Sequence, residues 1–273
     1  MGTSSIYSGY SNGGSQNNPL IPSDFEDIDE SENTDNLTAD TTPNEDNELS
    51  TVTDKSVSWQ NAKNYISKLA TGKSKNIGEG VSRYVRAYGG SKAASKNAVG
   101  GIRTTISLGN FVQKVSFQGV EETLKEYKID YSNKNLKEIL NELINIIAPS
   151  TNTKEDAIAR KSLVITMEVM YEFIENEHLG TIDSIESLDL NFIIPLYIES
   201  YLYEKLINDL GSRIESYSKN AEKAVELESD IKDYIHSKIE IVFKEKEIKD
   251  YNFSQKEVMK IYKQCYTVME DLL

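Results

Sequence analysis

The sequence predicts an all-α protein, a helical bundle preceded by a long disordered acidic N-terminal tail. Three observations lead there. Apolar residues recur at three- and four-residue intervals through most of residues 55–273, and convincing strand alternation is absent. Residues 1–54 carry twelve acids, no base and few apolar side chains to offset the entropy of ordering. Residues 55–105 then carry ten Lys or Arg against the single acid Glu79, whereas residues 106–273 return to twenty bases and thirty-one acids. These shifts divide the chain into an acidic tail (1–54), a basic, glycine-punctuated helical segment (55–110) and a helical bundle (111–273).

In the tail, two short apolar islands interrupt the polarity: Pro19-Leu20-Ile21-Pro22, and Phe25-Glu26-Asp27-Ile28, where apolar residues alternate with acids. Helical spacing begins with Trp59, Ala62, Tyr65 or Ile66, and Leu69, with Ser58 as N-cap and Gly72 as terminator. Ile77, Val81, Tyr84, Val85 and Tyr88 repeat it up to Gly89-Gly90, and Ala94, Ala98, Ile102 and Ile106 mark one further helix. Next come Leu136 to Ile147, stopped by Pro149, and Ile158 to Ile174, ending before Gly180. The most apolar segment, Leu188–Tyr217, predicts the central helix, with Pro195 in its first turn or kinking it. Ala221 to Val242 and Val258 to Leu272 form the last two amphipathic helices, the second opened by a capping box at Ser254 and Glu257.

Motifs that carry chemistry are few. Thr71-Gly72-Lys73-Ser74 ends like a phosphate loop, but Ser67 stands where a glycine is required and a helix precedes it instead of a strand. Gly78-Glu79-Gly80 fails as a dinucleotide fingerprint because Arg83 occupies the third glycine position. His178 and His236 lie on different helices without further ligands at metal spacing. The single cysteine, Cys265, sits on an apolar stripe, which suits packing and a reducing compartment. No catalytic constellation, cofactor motif or metal site emerges, so a non-enzymatic protein is expected. No apolar run reaches the roughly 18–20 residues of a membrane span, and the start lacks the features of a secretory signal, so the expected location is cytoplasmic.

The basic segment supports two readings. Arg83, Arg86, Lys92, Lys96 and Arg103 interleave with Tyr84 and Tyr88, a mixture suited to phosphate contact and base stacking, which would make residues 73–105 a nucleic-acid adaptor. The favoured reading is a surface for an acidic partner or for the chain's own acidic tail. At the amino terminus, Gly2 is small enough for Met1 to be removed. The exposed α-amine has a reference pKa of about 7.7–8.0 against about 10.4 for lysine, so it is far more nucleophilic near neutrality.

Met1-Gly2-Thr3-Ser4, the Gly/Ser/Asn tract, Pro19-Leu20-Ile21-Pro22, the basic run VSRYVRAYGGSKAASKNAVGGIRT (81–104) and YEKLINDLGSRIESYSKNAEKAVELESDIKDYI (203–235) together resemble the QatB accessory proteins of Qat anti-phage defence systems. The spacer here is rich in Asp, Glu and Asn where relatives tend toward Pro and Ala. The resemblance implies partners: an ATPase (QatA), a QueC-like enzyme (QatC) and a TatD-like nuclease (QatD). QueC-type enzymes activate a deazaguanine carboxylate with ATP for attack by ammonia, and the resemblance nominates Gly2 as a protein amine in ammonia's place. Partner contact is expected at Gly2, Thr3, Ser4, Pro19, Leu20, Ile21 and Pro22, and on the basic segment at Arg83, Tyr84, Arg86, Lys92, Lys96 and Arg103.

Overall fold

The computed structural model describes residues 48–148, 153–176, 190–244, 246 and 251–271. The chain divides into two units, Met1–Asp46 and Asn47–Leu273. The first lies outside the described residues, and with it the expectations for Gly2, Thr3, Ser4, Pro19, Leu20, Ile21, Pro22 and Phe25–Ile28; so do Pro149 and His178.

The described residues form ten helices and no strand, an all-α fold as the sequence predicts. In order they are α1 (Glu48–Ala70), α2 (Ile77–Ala87), α3 (Ser91–Asn97), α4 (Val99–Gln118), α5 (Val120–Glu126), α6 (Leu136–Ile147), α7 (Lys154–Asn176), α8 (Leu190–Tyr217), α9 (Ala221–Phe243) and α10 (Gln255–Glu270). As expected, α8 is central. Its stripe of Ile194, Tyr197, Ile198, Tyr201, Leu206, Leu210 and Ile214 is fully buried, and α1, α4, α7 and α9 pack around it. Burying each such side chain contributes about 1.5–3 kcal/mol before the entropy of ordering is charged against it.

Local signals fix the helix ends. Asn76, Asn135 and Asn220 each accept a hydrogen bond from the backbone N–H three residues on, at 3.1, 3.0 and 3.0 Å, and Glu138 returns the bond to Asn135 to complete a capping box. An open carbonyl at the end of α6, that of Ala148, is met by Arg160 of α7, which also donates, at 2.5 Å, to the side-chain Oδ1 of Asn145.

Three expectations need correction. The first helix begins at Glu48, so Ser58 lies inside α1 and is not its cap. The single helix expected through Ala94 and Ile106 is two, broken at Ala98 (φ −81°, ψ 40°). Both halves pack with α10, and the apolar spacing runs through the break without revealing it. Ser254 precedes α10 in extended conformation but makes no side-chain cap bond, and Glu257 is held by Lys260 at 2.7 Å. Helix α4 runs through residue 110, and Asn47–Leu273 is one compact unit. Pro195 falls in the second turn of α8.

Candidate interaction surface

The glycines of the basic segment decide where its charges face. Gly89 (φ +96°) and Gly90 (φ +81°) turn the chain between α2 and α3 in a region that other residues adopt at a cost. The turn is clamped from α10. Glu270 accepts a hydrogen bond from the Ser91 N–H at 2.8 Å through its carboxylate, and from the Ser82 hydroxyl at 2.6 Å through its backbone carbonyl. At Gly101 a Cβ would stand 2.7 Å from the Tyr201 ring and from the Tyr262 hydroxyl oxygen, and at Gly100 it would stand 2.6 Å from the Glu155 carbonyl. Only glycine lets α4 lie this close to α7, α8 and α10.

With that face pinned, the opposite side of α4 meets solvent. Val99, Ile102, Arg103 and Ile106 share one face of α4, and with Gln255 and Met259 of α10 and Lys96 of α3 they line a groove of about 350 Å³. Val99 is 56 % exposed, an unusual state for valine, while Ile102 is buried in the floor. Arg103 donates to Asp156 Oδ1 at 2.7 Å yet keeps most of its side chain in water. Lys92 and Lys96 are exposed and make no ion pair among the described residues. Lys263, exposed, continues the line of Gln255 and Met259 by one turn.

Of the basic-segment residues expected to contact a partner, the structure thus brings Lys96 and Arg103 to one groove, with Lys92 one turn before Lys96. Arg86 is exposed on α2. Arg83 is engaged locally, bonding Glu79 at 2.6 Å and lying over the Tyr65 ring at 4.9 Å. Tyr84, whose spacing with Val81 and Val85 also suits burial, is buried at 1 % exposure.

Tyr84 belongs instead to a polar network inside the bundle. Its hydroxyl and that of Tyr88 both donate to Asp209 Oδ2, at 3.0 and 2.6 Å, while Lys154 holds the other Asp209 oxygen at 2.9 Å. Trp59 of α1 packs edge-on against both rings. Beside them Lys205, 2 % exposed, donates to Glu155 and lies over the Tyr88 ring at 5.1 Å, and Tyr201 donates to the second oxygen of Glu155. Burial pushes the Tyr84, Tyr88, Tyr201 and Tyr266 phenols well above their ordinary pKa, reinforced by the Asp209 and Glu155 carboxylates. The Tyr266 hydroxyl is buried without a hydrogen-bond partner among the described residues. Cys265 is buried, its thiol pushed up to about 12 by desolvation, and His236, mostly exposed, is hydrogen-bonded to Glu199 at 2.7 Å.

The groove's apolar floor was missed in the sequence. Ile102 and Ile106 read as core, and Val99 and Met259 carried no signal. The network was signalled by Lys205 and Asp209, charges lying between Tyr201, Leu202, Leu206 and Leu210 on the most apolar helix.

The geometry defines an all-α protein with a network of paired tyrosines and charged groups in its interior and a basic-rimmed apolar groove on its surface. A sequence model described as the Qat anti-phage system associated protein QatB matches residues 89–272, which include every groove residue and helices α3 to α10. The match spans more than half of the chain, and the chain belongs to the QatB family, whose members are components of Qat anti-phage defence. No match is found among curated proteins or among solved structures. No helix of the described residues is long and apolar enough to cross a membrane.

Proposed function

We propose that this chain is a non-enzymatic scaffold of a Qat complex, a subunit that binds other Qat proteins and presents its N-terminal glycine to one of them. The observation that carries the scaffold role is the groove between α3, α4 and α10. It is an apolar, basic-rimmed surface in a protein of net charge −14, lying wholly inside the family-matched stretch. The interior supports the same reading from the other side. Lys205, Glu155, Tyr201, Asp209, Tyr84 and Tyr88 satisfy one another, which is what positioning of helices requires.

The presented group is Gly2. In this reading a QueC-like partner joins a deazaguanine carboxylate to ATP, releasing pyrophosphate; the Gly2 amine then attacks the acyl carbon, AMP leaves, a proton is lost from nitrogen and an amide remains. The QueC-like enzyme, the ATPase and the TatD-like nuclease are the partners proposed. The test is the intact mass of the chain co-produced with its QueC-like partner. Loss of Met1 together with a deazaguanine-sized adduct on Gly2 is expected, and an unmodified Gly2 under those conditions refutes the presentation. A nucleic-acid adaptor, the competing reading, requires salt-dependent DNA binding that is lost on changing Arg83, Arg86 and Arg103 to Glu. The burial of Tyr84 removes one of the stacking platforms that reading needed.

A further inference from the structure

The groove specifies its occupant more narrowly than "another Qat protein". Resting on the scaffold reading, we propose that the α3–α4–α10 groove receives an acidic amphipathic helix of about two to three turns from a different Qat subunit. The floor sets the length and periodicity. Val99 and Ile106 are seven residues apart on α4, about 10 Å at 1.5 Å per residue, so the apolar strip is two turns long. Its other wall is a second helix, α10, running beside α4, with Met259 half-buried between them. A cleft between two packed helices accepts the ridge of a third, and a helix presenting apolar residues at i, i+3 or i+4, and i+7 fills it.

The rim sets the charge. Lys96 and Arg103 stand at the groove, with Lys92 and Lys263 one turn beyond on their helices. Arg103 already engages Asp156, and Glu257, between Gln255 and Met259 on α10, is engaged by Lys260. A docked segment therefore meets surplus positive charge although the molecule as a whole is strongly acidic, and carboxylates flanking its apolar ridge are what this rim complements. The apolar floor separates this from a phosphate-binding surface: a nucleic-acid backbone would leave Val99 and Met259 uncovered while using only the rim. The larger groove between α8 and α9, about 660 Å³, differs in the sign of its rim, where Glu199 and Glu240 flank His236.

The full chain is tested in the complex formed by co-producing it with the other proteins of its Qat system. Benzoylphenylalanine in place of Val99 is photo-crosslinked, and the attached peptide is identified by mass spectrometry. Affinity for the captured subunit is measured for the unsubstituted chain, Val99→Asp, Lys96→Glu and Val99→Ile, each checked by thermal melting. The inference expects a crosslink to an Asp/Glu-rich amphipathic segment of another Qat protein. It expects affinity at least tenfold weaker for Val99→Asp, three- to tenfold weaker for Lys96→Glu with a shallower salt dependence, and preserved for Val99→Ile. A crosslink to nucleic acid, to a second copy or to this chain's own residues 1–47 overturns it, as does a complex retained within twofold by Val99→Asp with an unchanged melting temperature. The scaffold reading fails by a different result, in which the unsubstituted chain retains no Qat protein at all.

Discussion

Two regions of this molecule use the same residue types for opposite ends. In the interior, Lys205 pairs with Glu155, Glu155 and Asp209 accept from three tyrosine hydroxyls, the exposed Lys154 holds Asp209 from the solvent side, and the clustered aromatic rings of Trp59, Tyr84 and Tyr88 pack beside them. At the groove, Lys96 and Lys92 have no acid to pair with among the described residues, and Val99 has no apolar cover. Interior charge here orients helices, because a buried ion left alone costs several kcal/mol. Surface charge beside exposed apolar area costs the free protein little and is available for a partner. The contrast predicts that substitutions in the first region change folding and those in the second change association.

The sharpest break in the comparison is at Glu155. Glu155→Ala leaves Lys205 charged and 2 % exposed, and is expected to cost about 3–5 kcal/mol in urea unfolding. Lys205→Met removes the buried charge itself and leaves Glu155 bonded to Tyr201 and partly in water, so its expected cost is smaller, about 1–3 kcal/mol. Equal losses for the two would show that a stranded Lys205 charge is not what makes the pair costly to break.

A tyrosine pair sharpens it next. Tyr88→Phe removes a donor to Asp209 and should cost about 1.5 kcal/mol or more, because the acceptor is charged. Tyr266→Phe removes a buried hydroxyl that has no partner among the described residues and should be neutral or stabilising.

Alkaline pH probes the whole network at once. Burial raises the folded-state pKa of Tyr84, Tyr197, Tyr201, Tyr262 and Tyr266. In the unfolded chain these phenols release their protons first, near the ordinary value of 10, so the stabilisation is intact below that pH and is lost as pH rises above it toward the folded values. Phenolate absorbance of the buried tyrosines should therefore appear together with loss of helical circular dichroism, and ionisation before unfolding would contradict their burial. Cys265, pushed up to about 12, should stay unreactive to thiol reagents until the same transition.

The smallest expected effect belongs to His236. Its pKa is raised chiefly by the hydrogen bond to Glu199, so its contribution is complete below about pH 6.5 and fades as pH rises through the folded value. With half of its side chain in water, a few tenths of a kcal/mol is expected, read as a larger melting difference between the unsubstituted chain and His236→Ala at pH 5.5 than at pH 8.5.

Most helices were legible because their stripes are long and uninterrupted: α6, α7, α8, α9 and α10 follow the 3.6-residue period of Leu, Ile and Val with little competition. The break at Ala98 was not, since α3 and α4 both pack with α10 and the three- and four-residue spacing continues across it. The unused cap at Ser254 was hidden by a rival, Lys260, one turn past Glu257. For the groove, the sequence showed that the segment was basic, and Lys92, Lys96 and Arg103 are indeed exposed. It did not show that Val99 faces water, because that depends on Gly100 and Gly101 drawing the opposite face of α4 against Glu155, Tyr201 and Tyr262, partners at least fifty residues away in the chain. Tyr84 and Arg83 read as members of one surface by composition alone; Asp209 and Tyr65, the residues that claim them, come from other helices.

The claim that folding and association reside in separate residues is tested most directly by measuring one ratio. It is the affinity of Val99→Asp for its co-produced Qat partner relative to that of the unsubstituted chain, at a temperature where both are fully folded. A loss of tenfold or more with the melting temperature unchanged is the predicted result. An affinity within twofold of the unsubstituted chain, or a loss matched by a fall in melting temperature, would contradict it.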